Sequence, residues 1–483
     1  MARNGLDRRE HRHAARDQRT PDGPAPEKCQ GRDQRGRLER DLRIRGRAGL
    51  VSREGDPLHA CDAQQLPLHQ VLRDDRKSDH AQQLLEDHLR VTDPSSSAHP
   101  GRLATTLSYY GAFIGLGLVL ASLGPTLPGL AELTGAPLNA LSSIFVARSA
   151  GYLTGVLLGG RFFDRYAGNA LMAGMLSLMA ICMALVPLSP SILPLIALLY
   201  ALGFGEGSVD AGGNTLLVWL YPTGLGPWMN GLHFAFGIGS FIGPLIIAEI
   251  LAREGSVMSA YWVLAALLVP FILFVGSLRS PQIADHVDSH AETISEHRFT
   301  IILVAALLFS AVGIEVGYGN WIYTYAVTLE LASPESAAGL TSAYWGAFTV
   351  GRLLGIPLAA RTPPPAILLL CFAGTIVASV AILLYPESVT VLWVCTCLAG
   401  LAVAPMFATV VSLAERRMPI SGRVTGWFFV GSSAGGMSIP FIIGQLFEPV
   451  SPAWTFNIVL AVVFVGLVVL VIFNRYATED TRG

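Results

Sequence analysis

From Ser108 onward the chain is a run of twelve apolar stretches, each near the roughly 20 residues that carry a helix across the hydrocarbon core of a bilayer. They lie at 107–130, 139–160, 169–188, 191–219, 227–251, 257–278, 299–328, 337–360, 365–385, 389–413, 422–447 and 453–474. Segments of this kind must satisfy their backbone hydrogen bonds internally, which restricts them to helices. The expected fold class is an all-α membrane protein with twelve transmembrane helices. Composition agrees: only 14% of residues are charged and 52% are hydrophobic, against about 25% charged in soluble chains, which argues against a water-soluble enzyme. The breaks are short and hold turn residues, as at Thr134-Gly135-Ala136-Pro137 and Pro386-Glu387-Ser388. One longer polar break, Arg279 to Arg298, parts six spans from six.

Arginine positions orient the array. With the N-terminus inside, the cytoplasmic segments carry Arg102, Arg161, Arg165, Arg279, Arg298, Arg361, Arg416, Arg417, Arg423, Arg475 and Arg482. The outer loops carry only Arg253, and Arg148 and Arg352 remain within the membrane. Such a bias predicts an even span count with both termini cytoplasmic. The expected location is a bacterial inner (plasma) membrane.

Residues 1–100 are different material. They hold 19 of the 33 Lys+Arg and 17 of the 35 Asp+Glu, with no Phe, Trp or Tyr and with 17 Arg against 2 Lys. Without aromatics such a stretch cannot bury enough apolar surface to offset chain entropy, so disorder is expected. No apolar core follows the N-terminal charges, so no signal peptide is expected. Three readings stand for this tail: a basic regulatory arm, an arm for anionic lipid, or a segment without part in the core function, including translated GC-rich DNA upstream of a later start. The expected organisation is a disordered tail over 1–104, an N-terminal six-helix bundle over 105–278, a cytoplasmic linker over 279–298, a C-terminal bundle over 299–475 and a cytoplasmic tail over 476–483. The linker's Asp285, His286, Asp288, His290, Glu292, Glu296 and His297 read as a solvated linker rather than a metal site. Cys29, Cys61, Cys182, Cys371, Cys395 and Cys397 form neither a disulfide framework nor a zinc spacing.

The chain repeats itself. At an offset of 200, Gly151, Leu153, Gly155 and Arg161 of span two coincide with Gly351, Leu353, Gly355 and Arg361 of span eight. At an offset of 196, Gly239 and Pro244 of span five coincide with Gly435 and Pro440 of span eleven. Two homologous six-span halves imply a pseudo-two-fold axis along the membrane normal, a substrate site near midplane and alternating access by rocking.

On these residues the chain resembles the major facilitator superfamily over 105–475. Gly160-Arg161-Phe162-Phe163-Asp164-Arg165 is similar to that superfamily's G-x-x-x-D-R loop motif, although Gly168 falls one residue late and the usual following basic residues are absent. Within the superfamily the chain looks most like the fucose-permease-like sugar porters, in the branch holding the sodium-dependent glucose transporters and the domain-containing-4 proteins. The carrying residues are Gly203 through Asn214, Met229 through Phe234, Glu315 through Tyr323, and Trp345 through Gly355. The resemblance implies that Asp210 stands where those symporters protonate a membrane carboxylate. Their span-one carboxylate has no counterpart here, since span one holds no acid.

Ionisable groups within hydrocarbon are costly and mark pathways or paired structural sites. Glu206, Asp210 and Asn214 recur every four residues and share one helix face. A face of two carboxylates and an amide suits polyol hydroxyls and one cation. The alternative for Glu206 and Asp210 is a structural ion pair with Arg148 on span two. In span seven Glu315, Asn320 and Trp321 combine carboxylate, amide and ring, the mixture that a sugar's hydroxyls and apolar C–H faces require. Trp321 reads equally as a bilayer-interface anchor. Asn230 and His233 share a face of span five, as pocket lining or as satisfied core. The expected substrate-binding set is thus Asp210, Asn214, Asn230, His233, Glu315, Asn320 and Trp321, with ion coupling at Asp210, Glu206 and Glu315. Arg148, Asp164, Arg165 and Arg352 are expected to serve gating or structure, Arg352 as a pair at the cytoplasmic gate.

These residues predict a monosaccharide transporter coupled to a proton or Na⁺. The rivals are an exporter of an amphipathic compound or metabolite, and a non-transporting receptor or scaffold. No nucleophile–base set, phosphate loop or metal spacing points to an enzyme, and no cofactor or metal is expected beyond the coupling ion. A net charge of −2 gives no basic face for nucleic acid. The expected partners are a sugar and the lipid bilayer, with the protein working as a monomer.

Overall fold

The structure, a computed structural model, describes residues 101–163, 165–254, 256–281, 297–418 and 422–479. The expectations for the N-terminal tail, for Asp164 and for most of the linker fall outside these residues. Every regular element among them is helical. The first span is α1 (Arg102–Leu120) and α2 (Leu123–Thr134), interrupted at Ala121 and Ser122. The short α3 (Leu138–Leu141) leads into α4 (Ser143–Phe163), followed by α5 (Gly168–Leu185), α6 (Ile192–Leu220), α7 (Leu225–Glu254) and α8 (Val257–Gly276). The second half runs through α9 (Arg298–Thr328), α10 (Pro334–Arg361), α11 (Pro364–Leu384), the broken pair α12 (Val389–Val403) and α13 (Met406–Glu415), α14 (Gly422–Phe447) and α15 (Trp454–Glu479).

Local chemistry sets the ends. Gly135 takes a left-handed φ of 63° at the C-terminus of α2, a conformation that costs glycine little. Pro334 occupies the first turn of α10, where its missing N–H has no intrahelical acceptor to lose, and the Ser333 side chain accepts from the Ser336 amide at 3.3 Å.

Among the described residues, eleven segments are long and apolar enough to cross a membrane. The remaining span, α10, has 28 residues, about 42 Å at 1.5 Å per residue, and so has the length. It lacks the apolarity because Ser336, Thr341, Ser342, Thr349 and Arg352 lie along it. It packs chiefly against α7 and α12, so much of its surface meets protein.

The packing repeats as the sequence does. In the first half α4 lies on α6, α1 on α7 and α5 on α8; in the second half α10 lies on α12, α9 on α14 and α11 on α15. The halves meet where α4 touches α14 and α7 touches α10, two seams that the pseudo-symmetry exchanges. Of the matched glycines, Gly151, Gly155, Gly239 and Gly435 sit at very close backbone crossings. A Cβ on Gly239 would lie 2.0 Å from the Ile114 carbonyl oxygen, and one on Gly435 would lie 2.1 Å from that of Phe309. On the α4–α6 crossing Gly151 meets the Tyr200 carbonyl and Gly203 the Arg148 carbonyl, each at 2.0 Å. Backbone cannot yield as a flexible side chain can. Gly203→Ala is therefore expected to destabilise by about 1–3 kcal/mol or more, visible as a lower unfolding temperature in detergent, and an unchanged temperature would count against the close crossing.

Candidate functional site

Between the halves lies a cavity of about 720 Å³, within the range of small-molecule sites. Residues of α1, α4, α6 and α7 line one side and residues of α9, α10, α13 and α14 the other. Arg148, Glu206, Asp210, Asn214, Asn230, His233, Glu315, Asn320 and Arg352 all line it. Ionisable groups scattered over 205 positions of sequence thus share one space, and the span-four and span-seven carboxylates do not face lipid.

The cavity continues past Ile356, Thr362 and Ser412 to Glu415 and Arg416, at the ends of α10 and α13 that bear the loop arginines. Its other end is closed. There the Gln445 amide donates to the Asn139 carbonyl at 2.6 Å and to the Ser142 hydroxyl at 3.1 Å. Nearby, a Cβ on Gly444 would meet the Ser142 Cβ at 2.3 Å, and one on Gly124 would meet the Asn320 and Gly319 backbone at 3.1 Å. These contacts join α2 and α3 to α9 and α14 across the halves. The molecule is open on its arginine-bearing face and sealed on the opposite one.

The polar groups have distinct partners. Arg148 grips Glu206 through both carboxylate oxygens, with Nε to Oε2 at 2.9 Å and the second nitrogen on Oε1. It also donates to the carbonyls of Val119 at 3.1 Å and Leu120 at 3.4 Å. Those carbonyls lie at the end of α1, and that of Val119 also accepts from the Ser122 amide at 3.2 Å and the Ser122 hydroxyl at 2.7 Å. Glu206, expected to take part in ion coupling or to form a structural pair with Arg148, is paired with Arg148 in this structure. Asp210 takes the Tyr152 hydroxyl on Oδ2 and the Asn214 amide on Oδ1 at 3.1 Å. Asn214 also donates to the Asp210 carbonyl at 2.8 Å, and Asn320 donates to the Val316 carbonyl at 2.8 Å. His233 faces the Phe113 ring edge-on at 6.0 Å, and Asn230 is exposed near the arginine-bearing end of α7.

Two expectations are corrected. Trp321 does not line the cavity. It is fully buried, its Nε1 donates to the Pro440 carbonyl at 3.0 Å, and Phe145 and Phe447 pack on its ring. It is neither a sugar platform nor a bilayer anchor but a packing residue beside the sealed end. Arg352 forms no ion pair among the described residues; it lines the cavity, its guanidinium 4.6 Å from the Phe348 ring centre and 5.7 Å from that of Phe236. Arg165 is exposed just after α4. Tyr152 is a site residue that the sequence reading passed over. Its signal was available: it lies four residues after Arg148 on the same face, and at an offset of 200 it matches Arg352. The aromatic walls Phe113, Phe145, Phe236 and Phe429 gave no signal, being indistinguishable in sequence from lipid-facing rings.

The Major Facilitator Superfamily profile matches residues 103–436. Among curated proteins the chain is 30% identical over 385 residues to sodium-dependent glucose transporter 1 of Danio rerio, covering 71% of this chain and 64% of that protein. It is 29% identical over 374 residues to sodium-dependent glucose transporter 1A of Mus musculus, covering 70% and 88%. It is also 25% identical over 431 residues to major facilitator superfamily domain-containing protein 4A of Danio rerio, covering 71% and 82%. Among solved structures, the nucleoside transporter NupG superposes with a TM-score of 0.62 at 13% identity, covering 78% of this chain and 99% of that one. A D-xylose–proton symporter superposes with a TM-score of 0.60 at 16% identity, covering 75% and 97%. Two repeated halves around a polar cavity open to one face and a profile match spanning most of the helical array lead to one conclusion: the chain belongs to the Major Facilitator Superfamily, as an integral membrane transporter.

Proposed function

We propose that this transporter moves a monosaccharide by alternating access, coupled to the symport of a monovalent cation, proton or Na⁺. The observation that carries the reading is the mixed lining of the cavity. Asp210, Asn214 and Asn320 offer directional hydrogen-bonding groups beside the ring faces of Phe113, Phe145 and Phe236. A pyranose has hydroxyls around its rim and apolar C–H faces, and it is complementary to such a lining. The names of the relatives favour a sugar and sodium, and the xylose–proton symporter keeps a proton in play. By the arginine bias the open face is cytoplasmic, with both termini on that side; the proposal places the protein in a bacterial plasma membrane, working as a monomer.

Sugar enters from the sealed face once Gln445 has released Asn139 and Ser142, and leaves through the arginine-bearing mouth. Asp210, already holding two donors, offers its remaining lone pairs to a hydroxyl or a cation. The test is uptake of labelled hexoses and pentoses into proteoliposomes under separately imposed proton and Na⁺ gradients. Concentrative uptake of a sugar with one of the two is expected; no uptake of any sugar would end the reading. Export of an amphipathic compound is the second reading, favoured by the apolar mouth of Leu353, Ile356, Phe407 and Val411. It requires that apolar compounds, and not sugars, raise the unfolding temperature.

A further inference from the structure

We infer that Arg352 is a tethered counter-cation for Glu315, pairing with it when the unloaded carrier closes its arginine-bearing face and giving way when the coupling cation is bound. The inference rests on the symport cycle proposed above and gives that cycle its return step.

Three carboxylates and two guanidinium groups meet in the central part of the cavity. Arg148 and Glu206 neutralise each other, and Asp210 is held by Tyr152 and Asn214. Glu315 and Arg352 are left, and among the described residues neither side chain makes a hydrogen bond or an ion pair. They stand on neighbouring packed helices, α9 and α10. Helical side chains tilt toward their own N-terminus. The helices run in opposite directions, so Arg352 leans toward the sealed end, over Phe348 one turn back, and Glu315 leans toward the mouth. The two groups therefore lean toward each other along the wall of one cavity.

Arg352 now rests on two aromatic rings, a contact that is favourable but weaker than a dry ion pair. One of those rings, Phe236, belongs to α7 in the other half. Rocking of the halves therefore changes the Phe236 contact, whereas Glu315 stays in the same half as Arg352. The pseudo-symmetry gives the same message. Tyr152, the counterpart of Arg352, serves Asp210 on α6, but the equivalent place on α13 is taken by Phe407, Val410 and Val411, so Arg352 finds no acid there. A lone carboxylate resists being closed off from water. Arg352 can supply the missing charge in the empty carrier, and a bound cation can supply it in the loaded one.

Spin labels at Tyr166→Cys and Arg361→Cys, both exposed on the arginine-bearing face, report its closure in a chain whose native cysteines are replaced by alanine. Without sugar or Na⁺ at alkaline pH, the parent is expected to populate a closed, short-distance state. Arg352→Gln is expected to lower that population at least ten-fold, Arg352→Lys to retain it, and Arg352→Gln with Glu315→Gln to restore it. An unchanged population in Arg352→Gln, or a double variant no better than the single one, would overturn the inference, as would no closed state in the parent. This readout needs no sugar, so it stands or falls separately from the uptake experiment. Where uptake is measured, Arg352→Gln should slow net uptake at least ten-fold while sugar exchange, which skips the empty return, persists; equal loss of both would assign Arg352 to substrate contact instead.

Discussion

Glu206→Gln is expected to lower stability by roughly 3–5 kcal/mol, the usual consequence of leaving one member of a buried ion pair without its partner. Glu206 is 1% exposed and Arg148 9% exposed, so water cannot replace the lost charge. The damage should spread beyond the pair. The same guanidinium holds the last carbonyls of α1 through Val119 and Leu120, and it thereby joins the broken first span to α4 and α6. Thermal unfolding in detergent, read with yield from the membrane, measures the effect. Arg148→Leu combined with Glu206→Leu should recover more than half of the loss, because two apolar groups leave no buried charge. If either single variant unfolds within a degree or two of the parent, the pair is not structural and Glu206 returns to the coupling candidates.

Asp210→Asn is expected to do the reverse, sparing the fold and stopping transport. Asparagine keeps the size of the side chain and one oxygen for the Tyr152 hydroxyl, so the unfolding temperature should move little. The charge is lost, and disrupting a buried, hydrogen-bonded charge interaction costs about 2–5 kcal/mol, which corresponds to a fall in uptake of about 30-fold or more. Tyr152→Phe leaves the carboxylate with one donor fewer and should produce a smaller loss in the same assay. Retention of cation-driven uptake in Asp210→Asn would remove Asp210 from the coupling site.

The helical array was legible because lipid imposes a strong rule. A stretch of about 20 apolar residues can do little else, and the expected spans fall on helices of the structure throughout, α10 included. The polar residues of the cavity were legible for the same reason. Arg148, Asp210, Glu315 and Arg352 are too costly to face acyl chains, so each had to find an interior. What spacing could not supply was partnership. Glu206 and Asp210 sit four residues apart on one face, and either could have met Arg148. The choice depends on the height at which α4 crosses α6, which Gly151 and Gly203 set by backbone contact. Trp321 was misread because a large ring in a span looks the same whether it faces sugar, lipid headgroups or the packed end of another helix.

By itself, then, the sequence determined the helical class, the two-fold repeat and the short roster of groups that must be kept from lipid, all consequences of a solvent that tolerates neither open backbone nor free charge. Only the tertiary structure decided that Arg148 neutralises Glu206, that Tyr152 serves Asp210, that Arg352 stands in the cavity and not at its gate, and that the arginine-bearing face is the open one. Each of these depends on distances between helices remote in sequence, set by how closely their backbones pack, and a one-dimensional pattern of apolar and polar residues carries no such distance.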